Sequence, residues 1–246
     1  MLCFLIPLKS QLVSNNWQKV CRIFETTLLS TYNQIDPNFK IIVICHEKPH
    51  LQFTYDERVE IIQVDFPIPD KSQTKETMKD KWKKLGMGMI RAKEINPDFI
   101  MFVDADDLVS NKLSQYVNSH KEANGWILKK GYKYSYGSHW LNKDNDFNCG
   151  TNAIINSKLI RFPTTIEESE QCIILANGHT VIEAKMKELK TPLTPLPFPG
   201  AVYICNHGDN DSHSSKKFNW YGWRHFFKTL PNKRLLSLNV KQEFSF

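Results

Sequence analysis

No Cys-x-x-Cys pair occurs among the six cysteines, Cys3, Cys21, Cys45, Cys149, Cys172 and Cys205. The spacing therefore offers neither a zinc ribbon nor a redox dithiol, and several of these residues sit inside apolar runs. They read as free, mostly buried thiols of a reducing compartment, so a cytoplasmic location is expected. No apolar stretch approaches the roughly 20 residues of a membrane span. The opening Met1-Leu2-Cys3-Phe4-Leu5-Ile6-Pro7 lacks a basic leader and stops too soon for a signal peptide, and it reads instead as a first β-strand. Lysine and arginine are spread without a long basic run, which argues against a dedicated nucleic-acid binder. Internal repeats and low-complexity tracts are also missing.

What is present is the composition of an ordinary globular protein: 246 residues, 41% apolar and 24% charged, with a net charge of +6. That length buries a good core as a single domain. The modest positive balance suits anionic partners such as nucleotides or lipid head groups without choosing among them.

The pattern along the chain is strand–helix–strand. Leu2–Ile6, Ile41–Cys45 and Val59–Val64 are apolar runs ended by Pro7, His46-Glu47 and Asp65. Between the first two, Trp17, Val20, Cys21, Phe24 and Leu28 fall at helical spacing behind the capping candidates Ser14 to Asn16. After an aperiodic loop at 66–74, Met78, Trp82, Leu85, Met89 and Ala92 form one apolar helical stripe, with Asp80, Lys81 and Lys84 off it. Further on, Leu113, Tyr116, Val117 and His120 suggest a helix. Trp126–Leu128, Ala153–Ile155 and Val202–Cys205 read as short strands, with a hairpin or long loop over 129–148. Glu167 to Ala176 suggests another helix, and Thr180-x-x-Glu183 is a capping box opening a helix to about Leu189. Apolar runs alternating with helical stripes mark an α/β fold: a mostly parallel sheet covered by helices, here with a smaller antiparallel C-terminal part.

The stretch that organises the rest is Phe99-Ile100-Met101-Phe102-Val103-Asp104-Ala105-Asp106-Asp107, five apolar residues running into three carboxylates. A buried parallel strand is expected there, and ligands of open α/β sheets bind beyond the carboxyl ends of such strands. Clustered carboxylates repel each other unless a cation joins them. Oxygen ligands suit Mg²⁺ or Mn²⁺, which keep positions open for phosphate. The plainer alternative is that Asp104 to Asp107 only close a strand and favour the next helix N-terminus.

With the preceding α/β half, Phe102-Val103-Asp104-Ala105-Asp106-Asp107 resembles the Asp-x-Asp motif of GT-A-fold glycosyltransferases, in a family-2-like form. The resemblance extends over about residues 2–212 and is supported by Asp80-Lys81-x-x-Lys84, Cys149-Gly150-Thr151 and Pro199-Gly200 through His207-Gly208-Asp209-Asn210. It implies a nucleotide-diphospho-sugar donor, a UDP- or GDP-sugar, held with Mn²⁺ or Mg²⁺. The acceptor would be a glycan, a lipid or a small molecule. It also implies one domain over 1–246: a nucleotide-binding half at 1–110, a donor-sugar and acceptor half at 111–213, and a basic-aromatic tail at 214–246.

Under this resemblance Asp104 would face the ribose or the metal and Asp106 would ligate the metal. Asp107 would orient its neighbours or a donor-sugar hydroxyl. His207 is the third candidate metal ligand, with His213 its rival. Lys81 and Lys84 would contact the diphosphate or the base and Asp80 a base edge; the alternative for all three is a solvated helix face. Ser10 lies where the family binds the nucleoside, or is an ordinary loop residue. For the reaction itself the candidates are Asp106, Asp209 and Glu168, with Glu167 and Glu170 beside it, and a retaining enzyme needs no such base. His46-Glu47 stands where members of that family usually carry an aspartate. The tail, with Trp220, Trp223 and Phe227, either packs on the core, stacks on an acceptor or touches a membrane surface. A nucleotidyltransferase is the rival enzyme, but Pro7-Leu8-Lys9-Ser10-Gln11 has no glycine for its phosphate loop. A non-catalytic binding module is the rival of another class.

Overall fold

The computed structural model describes residues 1–169, 181–209 and 232–246. A seven-stranded sheet carries the molecule, in the order β10-β6-β9-β4-β1-β2-β3. Its central strands are β1 (Leu2–Pro7), β2 (Phe39–Cys45), β3 (Val59–Gln63) and β4 (Phe99–Phe102), all mutually parallel. Beyond β4, β9 (Ala153–Asn156) runs antiparallel, and β6 (Gly125–Ile127) and β10 (Thr194–Pro195) return to the common direction. The apolar runs are continuous because both faces of the sheet are covered. Alternate residues divide between two cores. Phe4, Ile6, Ile41, Val43 and Met101 face α1 (Trp17–Tyr32) through Val20, Phe24 and Leu28. Cys3, Leu5, Ile42, Ile44 and Ile100 face α2 (Thr74–Ile95) through Leu85, Met89 and Ala92.

Local chemistry sets the ends of these helices. Asn16 caps α1, its side chain accepting the Lys19 N–H at 3.0 Å. Asn96, in the left-handed region at φ 52°, closes α2 and turns the chain into β4. The expected capping box Thr180-x-x-Glu183 falls partly outside the described residues. The helix after it, α5 (Ile182–Glu188), has Val181 at its N-cap with no side-chain hydrogen bond. Of the helix expected from Glu167, the turn α4 (Ile166–Ser169) is described.

A second sheet, in the order β12-β8-β7-β11-β5, is mostly antiparallel. Its strands are β5 (Asp107–Val109), β7 (Gly131–Ser135), β8 (Trp140–Asp144), β11 (Ala201–Cys205) and β12 (Lys233–Leu235). The stretch at 129–148 is thus a hairpin, β7–β8. Helix α3 (Leu113–Asn118) follows β5, and a C-terminal helix α6 (Leu238–Phe244), which the sequence pattern did not suggest, buries Phe244 under this sheet. Glu243 of α6 accepts from Ser110 Oγ at 2.7 Å and pairs with Lys112 at 2.9 Å. The basic-aromatic segment with Trp220, Trp223 and Phe227 lies outside the described residues, as do Glu170, Cys172 and His213. The other five cysteines are free, and no described helix is long and apolar enough to cross a membrane.

Candidate functional site

Strand order reverses between β1 and β4: β2 and β3 lie on one side of β1, and β4, formed later, lies on the other. In open α/β sheets such a reversal opens a crevice at the carboxyl ends of the strands. A cavity of about 800 Å³ occupies this place, lined by Lys9 after β1, by Asp104 and Asp106 after β4, and by Lys81 on α2. Its size is that of a site for a small-molecule ligand or cofactor.

The acidic turn is held in place by the strands around it. Asp107 starts β5 and pairs with Tyr203 of β11, so its side chain is buried. It accepts the Thr151 hydroxyl at 2.6 Å, and the same hydroxyl oxygen accepts the Asp104 N–H at 2.9 Å. Burial, with the repulsion of Asp106 and Asp104 behind it, pushes the Asp107 carboxyl well above the usual carboxylate range. Asp107 therefore anchors its neighbours and is shut off from the cavity, which leaves it no surface to offer a donor-sugar hydroxyl. Gly150 packs against the turn so closely that a Cβ there would meet Asp104 Oδ2 at 2.1 Å.

Asp104 faces Lys81, whose Nζ lies 2.5 Å from Oδ1. Burial works against the Lys81 ammonium, but Asp104, with Asp106 and Asp107 beyond it, outweighs that cost and holds its pKa above the ordinary lysine value. Asp106 meets His207, with Oδ2 and Nε2 2.8 Å apart. His207 is buried at 4% exposure, between Asn206 at φ 63° and Gly208 at φ 89°. A left-handed residue on either side of the histidine turns the chain as it leaves β11, and the imidazole meets Asp106.

As a test for a divalent cation, Asp106 and His207 converge and supply an oxygen and an imidazole nitrogen, donors that suit Mn²⁺. Asp104 is reserved by Lys81, and among the described residues no group of three metal-type side chains is gathered. Two of the three expected ligands thus meet, while the third meets a lysine.

Of the remaining candidates Asp80, Lys84 and Asp209 line the same cavity, and Ser10 and Glu168 do not. Asp80 and Lys84 are not on a solvated helix face: Lys84 is 1% exposed and its Nζ lies 2.6 Å from Asp80 Oδ2, while Asp80 Oδ1 lies 2.8 Å from His46 Nε2. Burial outweighs the Asp80 carboxylate and lowers the Lys84 pKa. Their sequence positions are off the apolar stripe, yet both are buried, with His46 after β2 as a further partner of Asp80, so the polar groups satisfy each other. Ser10 is buried, donates to Glu47 Oε1 at 2.8 Å and accepts from Leu12 N at 3.2 Å. It shapes the turn after β1 and joins it to the end of β2. Asp209 is nearly buried and accepts the Asn15 N–H at 2.6 Å, while Lys9 donates to its carbonyl at 2.7 Å. It pins the loop after β11 to the loop after β1. Glu168 lies away from the cavity lining, its carboxylate accepting from Thr164 N and Oγ1, both at 2.8 Å. Sequence reasoning missed Lys9, Asn15 and Lys71 on the rim. Lys71 reaches Asn15 Oδ1 at 2.6 Å, and no local pattern marks a contact across 56 residues.

No family model and no curated protein matches the chain. Solved structures do. The crystal structure of S. aureus TarS is similar at 11% identity and a TM-score of 0.48, over 83% of this chain and 36% of that one. A TarS fragment in complex with UDP is similar at 10% identity and 0.48, over 83% and 60%. A protein from Desulfovibrio desulfuricans G20, assigned as a nucleotide-diphospho-sugar transferase, is similar at 7% identity and 0.41, over 94% and 96%. This chain therefore spans from about a third to three-fifths of the TarS chains.

Proposed function

We propose that the chain is a glycosyltransferase that moves a sugar from a nucleotide-diphospho-sugar, a UDP- or GDP-sugar, to an acceptor hydroxyl with the help of Mn²⁺ or Mg²⁺. The observation that carries this reading is the placement of Asp104 and Asp106 at the end of β4, in a cavity at the strand-order reversal, with His207 against Asp106. The nucleoside would enter over the end of β1, where Ser10 and Glu47 shape the turn. The diphosphate would lie across the carboxylates, which need a cation to face it, and Lys81 and Lys9 line the same cavity.

Asp106 and His207 would hold the cation, which when bound would act as a Lewis acid on the leaving diphosphate. Thr151 and Asp107 keep the acidic turn from shifting as charge develops. The clamp of Asp209 on Asn15 keeps the late loop over the site and helps exclude water. Assay of the full chain against a panel of UDP- and GDP-sugars, read as nucleoside diphosphate released with Mn²⁺, tests the reading. One donor should give turnover that Asp106→Asn abolishes while the variant melts like the parent. Turnover that survives Asp106→Asn would remove the carboxylate from the chemistry.

A further inference from the structure

The second sheet carries a surface that runs outward from the cavity. Residues paired across adjacent strands share one face of a sheet, and neighbours along a strand alternate between faces. One row crosses all the strands in this way. Asp107 of β5 is opposite Tyr203 of β11, Tyr203 is opposite Lys133 of β7, Lys133 is opposite Asn142 of β8, and Asn142 is opposite Lys233 of β12. Asp107 ends the row at the acidic turn, and Tyr203 and Lys133 line the cavity. Trp140 stands two residues from Asn142 on the same face and is 50% exposed, whereas Leu141 between them is buried on the other face with Tyr132 and Phe244. The tip of the β7–β8 hairpin, turned at Gly137 with φ 83°, presents Tyr136 at 44% exposure.

The tip is fixed to the chain that leaves β11. The Tyr136 N–H donates to the Cys205 carbonyl at 2.9 Å, and Asn206 Nδ2 donates to Ser135 Oγ at 3.1 Å. Lys19 Nζ lies 4.7 Å from the Tyr136 ring centroid and also donates to the His207 carbonyl. Leu235 lies opposite Trp140, but the strip between the tip and the cavity is otherwise polar. Lys133 is paired with Asp144 at 2.8 Å, which leaves neutral amide and hydroxyl groups, Asn142, Ser135 and Asn206, beside the rings. An aromatic face edged by such groups complements a sugar ring, whose C–H bonds meet the negative π face while its hydroxyls meet the amides.

We propose that this strip, from Tyr203 and Lys133 to Trp140 with Tyr136 beside it, binds the acceptor, and that the acceptor is a neutral glycan chain. Strand β5, which begins at the acidic turn, is three strand spacings from β8, about 14 Å. That exceeds one sugar ring, so a chain with its end at the cavity and an earlier residue on Trp140 fits, and a monosaccharide does not reach both. Contacts this far from the reacting atoms act on ground state and transition state alike, so the strip sets the acceptor KM rather than kcat. This inference rests on the transferase reading above.

The test is binding of the full chain, without nucleotide, to soluble neutral hexasaccharides of glucose, mannose, galactose and N-acetylglucosamine in α and β linkage, read by saturation-transfer difference NMR and titration. At least one should bind. Trp140→Ala should weaken that binding at least about fivefold, whereas Trp140→Phe, which keeps a ring, should stay near the wild type and separates loss of the ring from loss of the fold. Leu238→Ser, which removes an exposed apolar side chain outside the strip, should bind as the wild type does.

No binding by any member of the panel, or binding that Trp140→Ala leaves unchanged, overturns the inference. Sedimentation with vesicles of phosphatidylcholine and phosphatidylglycerol that Trp140→Ala abolishes, with no hexasaccharide bound, makes the strip a lipid contact and overturns it too. Nucleoside diphosphate binding without hexasaccharide binding removes the glycan strip alone and leaves the transferase reading standing. Hexasaccharide binding through Trp140 without nucleoside diphosphate binding keeps a carbohydrate site and removes its role as an acceptor site.

Discussion

Replacing Gly150 by alanine adds one methyl group at the wall of the acidic turn. The new Cβ would lie 2.1 Å from Asp104 Oδ2 and 2.6 Å from its Cγ, where ordinary contact begins at 3.4 Å. Gly150 is not among the glycines with positive φ, so the alanine backbone itself is unstrained and the effect is steric alone. The carboxylate or the loop must retreat by about an ångström, and Asp104 is tied through its own N–H to Thr151, so the turn moves with it. Overpacking of this kind costs about 1–3 kcal/mol. In a chain of this length each kcal/mol lowers the melting temperature by about 2–4 °C. A reacting group misplaced by about 1 Å costs on the order of 100-fold in rate. Calorimetric melts and turnover of the best donor should therefore show a modest loss of stability with a large loss of kcat/KM. Gly137→Ala is the control. It has no neighbour within 4 Å but a φ of 83°, so it should lose stability and keep its rate. A Gly150→Ala protein with wild-type turnover would refute the claim that the position of Asp104 matters to the chemistry.

Three further outcomes follow from particular contacts. Asp209→Asn keeps an oxygen to accept the Asn15 N–H; turnover should stay within about tenfold of the wild type, whereas loss of a general base costs about 10²–10⁴-fold. Lys84→Met strips a buried partner from Asp80 and should cost about 3–5 kcal/mol, with much of it regained in the Asp80→Asn, Lys84→Met double variant. A single-variant cost below about 1 kcal/mol by denaturant unfolding would show the pair to be unimportant. Burial pushes the Cys3 thiol from 9.0 up to about 12. The unfolded chain then gives up that proton first, so stability drains away as pH rises through this window. Melts of Cys3→Val should fall less steeply over the same range than those of the wild type, and parallel curves would contradict the assignment.

The sheet was legible because its signal is local. Phe99 to Val103, Leu2 to Ile6 and Ile41 to Cys45 are unbroken apolar stretches, Asn16 caps a helix start with its side chain, and Asn96 closes a helix with left-handed backbone. His207 could be found because Asn206-His207-Gly208 follows an apolar run with residues that accept left-handed backbone. The second sheet was harder to read. Strand β5 has three residues and exists through pairing with β11, about ninety positions later, which no local period announces. That pairing is also why Asp107 looked like a site carboxylate in the sequence and is a buried strut in the fold. For Asp80 and Lys84 the alternative of a solvated helix face fails for a related reason. Charge at positions off an apolar stripe normally means solvent, but here a third group, His46 at the end of β2, completes a buried ionic set. Lys81 stands at one step of the same helix and is distinguished from its neighbours only by what lies opposite.

The central claim is a cation-dependent diphosphate site at the end of β4, and ligand-induced stabilisation tests it most directly. The full chain is melted with UDP, GDP, CDP and ADP, each with Mn²⁺ and again with EDTA. A nucleotide at about 100 times its dissociation constant stabilises the native state by about 2.7 kcal/mol. At this length that raises the melting temperature by about 5–10 °C. The account predicts such a rise with one nucleotide in Mn²⁺ and its loss in EDTA. Melts unchanged by all four nucleotides in the presence of Mn²⁺ would contradict it.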